Sequence, residues 1–154
     1  MRRARAEKKV IQPDPKFNNL LISRFINQIM LHGKKSVAQK IVYDAFEIIF
    51  KKTKKDPLDV FDLALKNIAP DLEIKGKRIG GANYQIPHEV KGDRKNTLAF
   101  RWLIEITRKK KGKPMSVILA NEIMEASKGL GSAVKKKEDT HRMAEANKAF
   151  AHYA

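Results

Sequence analysis

The sequence predicts a mainly α fold: about six helices, with one extended β-hairpin between the third and fourth. Three observations carry this. Apolar residues recur at helical spacing in six stretches. The period changes once, to strict alternation, on either side of Gly80-Gly81. No other alternating stretch exists that could enlarge a sheet.

Residues 1–16 are basic and contain Pro13 and Pro15, which predicts an extended N-terminal arm ahead of a helical domain over 17–154. From Phe17 to His32, Leu21, Ile22, Phe25, Ile26 and Ile29 form one helical stripe, and Gly33 supplies a stop. A second helix is expected from Lys35 to Lys52, with Val37, Ile41, Val42, Ala45, Phe46 and Ile49 on one face. Asp56 as N-cap with Pro57 at the first helical position opens the third, whose stripe is Leu58, Phe61, Leu65 and Ile68; Pro70 closes it. The hairpin is placed at about 72–90. Leu72 and Ile74 alternate with Glu73 and Lys75, and Tyr84, Ile86 and His88 alternate with Gln85 and Pro87. Pro87 has no N–H for a ladder, so its strand should have a free edge. Asp93 to Arg108 returns to helical period with Leu98, Ala99, Trp102, Leu103 and Ile106. Pro114 starts a fifth helix, which ends near Gly129. A sixth, thin in large apolar groups, is expected from Ala133 to about Ala151.

Composition bounds the function. The chain has 154 residues, enough for one domain with a moderate core. Lys and Arg number 33 against 17 Asp and Glu, a net charge of +16. A compact chain so charged repels itself, and a polyanion relieves the repulsion. Nucleic acid is the commonest such partner, with an anionic membrane second. The 42% hydrophobic share is too high for a disordered basic tail. Cysteine is absent, which removes disulfides and thiolate metal sites and suits a reducing compartment. No apolar run is long enough to span a bilayer. The N-terminal arginines would suit a transit peptide, but Glu7 and the lack of serine argue against one.

The basic residues gather in clusters: Arg2, Arg3 and Arg5; Lys34 and Lys35; Lys75, Lys77 and Arg78; Arg94 and Lys95; Arg108 to Lys113; and Lys135 to Lys137. Each lies at an arm, a joint or a helix end. A single cluster reads as a solvated face. Six with few acids among them point to phosphate binding that fixes position rather than reading sequence. The hairpin has two readings, a positive finger lying on RNA or a ribbon folded back on its own helices. Tyr84 could stack on a base or pack within the protein. Trp102 belongs to an apolar stripe and reads as core.

Catalysis has little support. Gly33-Lys34-Lys35-Ser36 is similar to the end of a phosphate-binding loop but lacks the glycine five residues earlier. His32, His88, His141 and His152 lack metal-ligand spacing. The carboxylate pairs Asp59 with Asp62 and Glu122 with Glu125 are expected on outward, solvated faces. The expectation is a protein that is not an enzyme and needs no cofactor or metal.

Several long, irregular stretches then carry a resemblance. Asp14 to Phe17 (DPKF), Asn27 to Ser36 (NQIMLHGKKS), Ala38 to Ala45 (AQKIVYDA), Gly80 to Pro87 (GGANYQIP), Ala99 to Glu105 (AFRWLIE) and Lys135 to Tyr153 (KKKEDTHRMAEANKAFAHY) together resemble the bacterial small-subunit ribosomal protein seven family. The resemblance runs through essentially the whole chain and includes its first seven residues, against a transit peptide. It implies six helices with an extended ribbon. It implies a cytoplasmic protein of the small subunit that binds the 3′ major domain of 16S ribosomal RNA and nucleates assembly of the subunit head. It also implies a place at the subunit interface near the exit-site transfer RNA and the messenger exit channel, with other head and platform proteins as neighbours.

On this sequence the implied ribosomal-RNA contacts are Arg2, Arg3, Arg5, Lys8, Lys9, Lys34, Lys35, Ser36, Lys75, Lys77, Arg78, Arg94, Lys95, Arg101, Arg108, Lys109, Lys110, Lys111 and Lys113. The groups near transfer RNA are Gly80, Gly81, Tyr84, Lys135, Lys136, Lys137 and Arg142. A free RNA-binding translational regulator using the same surface is the alternative, and a basic enzyme acting on RNA is the third. If the ribbon grips RNA, replacing Lys75, Lys77 and Arg78 together by alanine weakens RNA binding and flattens its salt dependence. Thermal unfolding of the free protein then stays almost unchanged; a large drop in melting temperature with unaltered RNA affinity would count against the finger.

Overall fold

The computed structural model describes residues 10–153, so Arg2, Arg3, Arg5, Lys8 and Lys9 lie outside the described residues. The chain divides into two compact units, residues 1–40 and 41–154. Its elements are α1 (Leu20–Ile29), α2 (Lys35–Thr53), α3 (Pro57–Ile68), β1 (Leu72–Ile79), β2 (Ala82–Glu89), α4 (Asp93–Lys109), α5 (Met115–Ser127), α6 (Ser132–Ala146) and a 3-10 helix (Lys148–Tyr153). Six helices with one hairpin between the third and fourth is the predicted fold.

In the first unit, the end of the arm is held by its own side chains. Asp14 is buried, and its Oδ2 accepts from the backbone N–H groups of Lys16 and Phe17, both at 3.1 Å. Ser23 on α1 donates to the carbonyl of Gln12 at 2.7 Å. Asn19 then caps α1, its Oδ1 accepting from Leu21 N–H at 2.8 Å. This turn chemistry delays the helix from the expected Phe17 to Leu20. At the other end Met30 is already extended, and His32 (φ 51°) and Gly33 (φ 74°) are left-handed, so the helix stops before the expected His32. Ile22, Phe25, Ile26 and Ile29 are buried as predicted. Val37 is not: it is 53% exposed. The buried stripe of α2 runs through Ala38, Val42, Ala45, Phe46 and Ile49, and Val37 is rotated about 100° from Ala38.

In the second unit, Asp56 caps α3 by accepting from Leu58 N–H at 2.9 Å, with Pro57 in the first turn. Phe61 on α3 sits 5.4 Å from Phe46 of α2 and stacks nearly parallel on Phe100 of α4 at 6.3 Å. Helix α3 packs on α5, and α4 on α5 and α6. Trp102 is buried, as expected of its stripe. Asn67 of α3 donates to the carbonyls of Ala126 (2.8 Å) and Ser127 (3.2 Å), closing the C-terminal end of α5.

The hairpin is antiparallel, from Leu72 opposite Glu89 to Ile79 opposite Ala82. Gly80 (φ 56°) and Gly81 (φ 91°) make the turn, which needs two successive left-handed residues. The ribbon does not stand alone. Strand β1 packs on α6 and β2 on the 3-10 helix. Ile86 and Pro87 are buried, and Tyr84 meets Phe150 edge-on at 5.1 Å. Strand β2 pairs with β1 alone, so among the described residues its outer edge carries no ladder, as expected of Pro87, although the Pro87 side chain is buried. The single last helix expected to about Ala151 breaks at Asn147. The backbone N–H and side-chain Nδ2 of Asn147 both donate to the Met143 carbonyl, and the 3-10 helix follows.

One expectation is overturned. Glu122 does not face outward; it is fully buried. Its Oε1 accepts from the backbone N–H of Ala133 at 2.8 Å, and its Oε2 pairs with Lys110. Helix α6 has no side-chain cap of its own, so a carboxylate from α5 serves its first turn. Glu105 makes a second tie. It accepts from Lys109 one turn on at 2.7 Å and from Lys136, so α4 is linked to α6. The Lys109 ammonium, and then that of Lys136, holds the Glu105 carboxyl down at about 2, against a usual 4.5.

Two expected outcomes follow from these ties. Glu122→Ala leaves the Ala133 N–H buried without an acceptor and should cost about 1–3 kcal/mol in urea unfolding. Glu138→Ala, on a position that carries no such tie, should cost under about 0.5 kcal/mol. For Glu105, a folded-state pKa below the unfolded one gives stability that is full above pH 4.5 and lost as pH falls toward 2. Melting temperatures measured between pH 5 and pH 2 should therefore fall less steeply for Glu105→Gln than for the native chain.

Candidate nucleic-acid interface

The predicted contact residues separate into two kinds once their neighbours are known. Some cations already hold the fold together. Arg94 donates through Nη2 (2.9 Å) and Nε (3.2 Å) to Oε2 of Glu73, and Lys75 reaches the other oxygen of Glu73 at 3.0 Å. Burial works to raise the Glu73 pKa, but Arg94 and Lys75 outweigh it and hold the carboxyl below its ordinary value. Lys95 pairs with Asp71, and that hydrogen bond is the main reason the Asp71 carboxyl is also held low. The first turn of α4 is thus bound to the root of β1. Asp71 N–H also donates to Nε2 of His141 on α6, at 3.1 Å. Lys109 and Lys136 share Glu105, Lys110 is taken by Glu122, Lys137 donates to the Asn67 carbonyl at 3.0 Å, and Arg142 pairs with Asp139.

Other cations are exposed and, among the described residues, pair with no carboxylate: Lys34, Lys35, Arg78, Arg101, Lys111, Lys113 and Lys135. Lys77 and Arg108 are also exposed.

Each of these lies where local structure presents it. In the first unit, the left-handed pair His32 and Gly33 turns the chain, with Lys34 N–H donating to the Leu31 carbonyl at 3.0 Å. Lys34, Lys35 and Ser36 emerge exposed at the start of α2, whose first turn holds no acid. Two ammonium groups and a hydroxyl at one helix start favour a phosphate. In the second unit, strand β1 carries Lys75 opposite Ile86, Lys77 opposite Tyr84 and Arg78 opposite Asn83 nearer the tip, with Arg78 on the opposite face from the two lysines. Lys111 and Lys113 flank Gly112, left-handed at φ 88°, in the loop before α5, and Lys135 lies in the first turns of α6.

Two further predicted groups lie on the ribbon. Tyr84 has its ring against Phe150. Gly80 and Gly81 are exposed at the ribbon tip, where a Cβ would meet nothing within 4 Å, so backbone geometry alone requires glycine there. The acids that organise the site, Asp71, Glu73, Glu105 and Glu122, were not foreseen. Glu122 had a signal: it falls three residues after Leu119 and four before Ala126, on the buried stripe. Among the described residues no group of three or more His, Asp or Glu is placed to hold a metal, and no helix is long and apolar enough to cross a membrane.

Comparison with known proteins adds an independent finding. The family model described as ribosomal protein S7p/S5e matches residues 1–148. A protein of Thermotoga maritima named small ribosomal subunit protein uS7 is 58% identical over 153 residues, covering 99% of both chains. Proteins of the same name from Mycoplasma capricolum (58% over 153 residues, 99% of both chains) and Pelotomaculum thermopropionicum (57% over 152 residues, 99% of this chain and 97% of that one) are similar to the same extent. A full-length match at this identity leaves one conclusion: the chain belongs to the ribosomal protein S7p/S5e family.

Proposed function

We propose that this protein is a structural component of the small ribosomal subunit in the cytoplasm, binds the 3′ major domain of 16S ribosomal RNA directly, and nucleates folding of the subunit head. It carries out no catalytic step. The observation that supports this most is the set of exposed cations that, among the described residues, have no carboxylate partner, placed on a helix-start turn, the ribbon, an interhelical loop and the faces of α4 and α6. These positions hold phosphates and carry no sequence code, which suits folding a structured RNA by its backbone. The arm with Arg2, Arg3, Arg5, Lys8 and Lys9 adds five more cations to the same task.

The ribbon tip and α6, with Lys135 and the paired Lys136, Lys137 and Arg142, lie toward the exit-site transfer RNA and the messenger exit channel in this reading. The paired cations contribute differently from the open ones. Arg94, Lys95 and Lys110 keep ribbon, α4 and α6 in position, so their removal acts on folding as well as on RNA.

Hydroxyl-radical footprinting on 16S ribosomal RNA tests the reading. Protection should fall in the 3′ major domain; protection confined to other domains would defeat it. Lys34→Ala with Lys35→Ala should reduce the slope of log affinity against log salt by about 0.7–0.9 for every phosphate that the two lysines neutralise in the native complex. The melting temperature of the free protein should hold, because both side chains are exposed.

A further inference from the structure

The second unit carries a groove that the RNA reading leaves unused. It opens between the C-terminal end of α2, α3 and the C-terminal end of α5, with a volume of about 600 Å³. Its floor is apolar: Val60 and Leu63 of α3 and Met124 of α5. Leu63 is 49% exposed although its helix neighbours Phe61, Ala64 and Leu65 are buried. The rim is basic, with Lys52, Lys55 and Lys128 against the single acid Asp59. Lys52 is fixed in the wall by donating to Asn121 Oδ1 at 3.0 Å.

We propose that this groove docks an acidic, amphipathic segment of a neighbouring protein in the small ribosomal subunit. The proposal rests on the reading that the chain works inside that subunit. Three features select such a segment. An apolar floor gains nothing from phosphate, whereas a leucine or phenylalanine side chain covering Leu63 and Met124 removes apolar surface from water. Methionine adapts its shape to such an anchor. No aromatic ring lines the groove, so it offers no platform for stacking a nucleobase. The three lysines on the rim complement carboxylates placed beside the apolar anchor, which steers the choice of partner more than it raises affinity.

The chain has no cysteine, so a single introduced one is labelled without ambiguity. Leu63→Cys, with Lys55→Cys as a second site because both positions are exposed, carries a benzophenone maleimide and is assembled into small subunits. Co-sedimentation is verified first. Irradiation should join the label to a carboxylate-rich peptide of one other small-subunit protein, identified by mass spectrometry. Adding Lys55→Glu and Lys128→Glu to Leu63→Cys should lower the cross-link yield about tenfold. Affinity for naked 16S ribosomal RNA should stay within about twofold, these lysines lying outside the proposed RNA contacts. A cross-link to RNA, to a second copy of this chain or to nothing, in subunits that contain the protein, overturns the groove assignment and leaves the subunit reading intact. Unaltered yield after charge reversal also overturns it. If the native chain itself stays out of the subunits, both readings fall together.

Discussion

A two-stranded ribbon buries too little surface to hold itself in water. That constraint organises much of the second unit. The hairpin has no sheet to join, so helices must seat it, and they do so from both strands: α6 lies on β1 and the 3-10 helix lies on β2. Its apolar seat is Ile86, Pro87 and the edge-on Tyr84–Phe150 pair. Its polar seat is the pair of acids at the root of β1. Asp71 takes Lys95, and Glu73 takes Arg94 and Lys75. Exposed ion pairs contribute little each. Glu73 is largely sequestered, however, and an arginine with two nitrogens on one of its oxygens fixes an angle as well as a distance. The ribbon's direction relative to α4 and α6 is therefore set inside the protein, before any RNA arrives.

The same logic governs charge. There are 33 cations and 17 acids, so the acids cannot neutralise the chain; they can only decide which cations are spoken for. Glu105 holds Lys109 and Lys136, Glu122 holds Lys110, Glu73 holds Arg94 and Lys75, and Asp71 holds Lys95, all on or beside the strands and helices that surround the hairpin. Among the described residues, those left without a carboxylate are Lys34 and Lys35 at the start of α2, Arg78 near the ribbon tip, Arg101 on α4, Lys111 and Lys113 in the loop before α5, and Lys135 on α6. Excess positive charge is thus spatially sorted. Charge around the seat of the ribbon is compensated locally, and the open charge stands exposed to solvent elsewhere.

Much of this was legible from residues alone. The Asp56-Pro57 start of α3, the Gly80-Gly81 turn and the apolar stripes follow from short-range rules about φ, missing N–H groups and helical period. The misplacements have equally local causes. Helix α1 starts late because Asp14 and Asn19 compete for the backbone N–H groups that would extend it. Val37 leaves the expected face because a single residue turns the helix by about 100°. The break at Asn147 interrupts a run of alanines that has no proline or glycine to mark it. The long-range pairing of cations with acids was not legible, although pairs one helical turn apart such as Glu105 with Lys109 are. Lys110 meets Glu122 across 12 positions, Lys136 meets Glu105 across 31, and nothing in spacing foretells either.

That limit bears directly on how a basic cluster should be read. Lys109 to Lys113 looks like one uniform patch in sequence. In the fold it is a graded series: Lys109 is held by the preceding turn of its own helix, Lys110 is drawn to a buried carboxylate, and Lys111 and Lys113 stand out around a left-handed glycine. Neutralising Lys110 leaves the buried Glu122 charge without its partner, so an effect on RNA binding would arrive through α6 and its first turn. Neutralising Lys111 takes away an exposed charge that, among the described residues, has no carboxylate partner, and little else. Two lysines side by side can therefore weaken RNA binding equally for opposite reasons, and only a stability measurement beside the binding measurement tells the organiser from the direct binder.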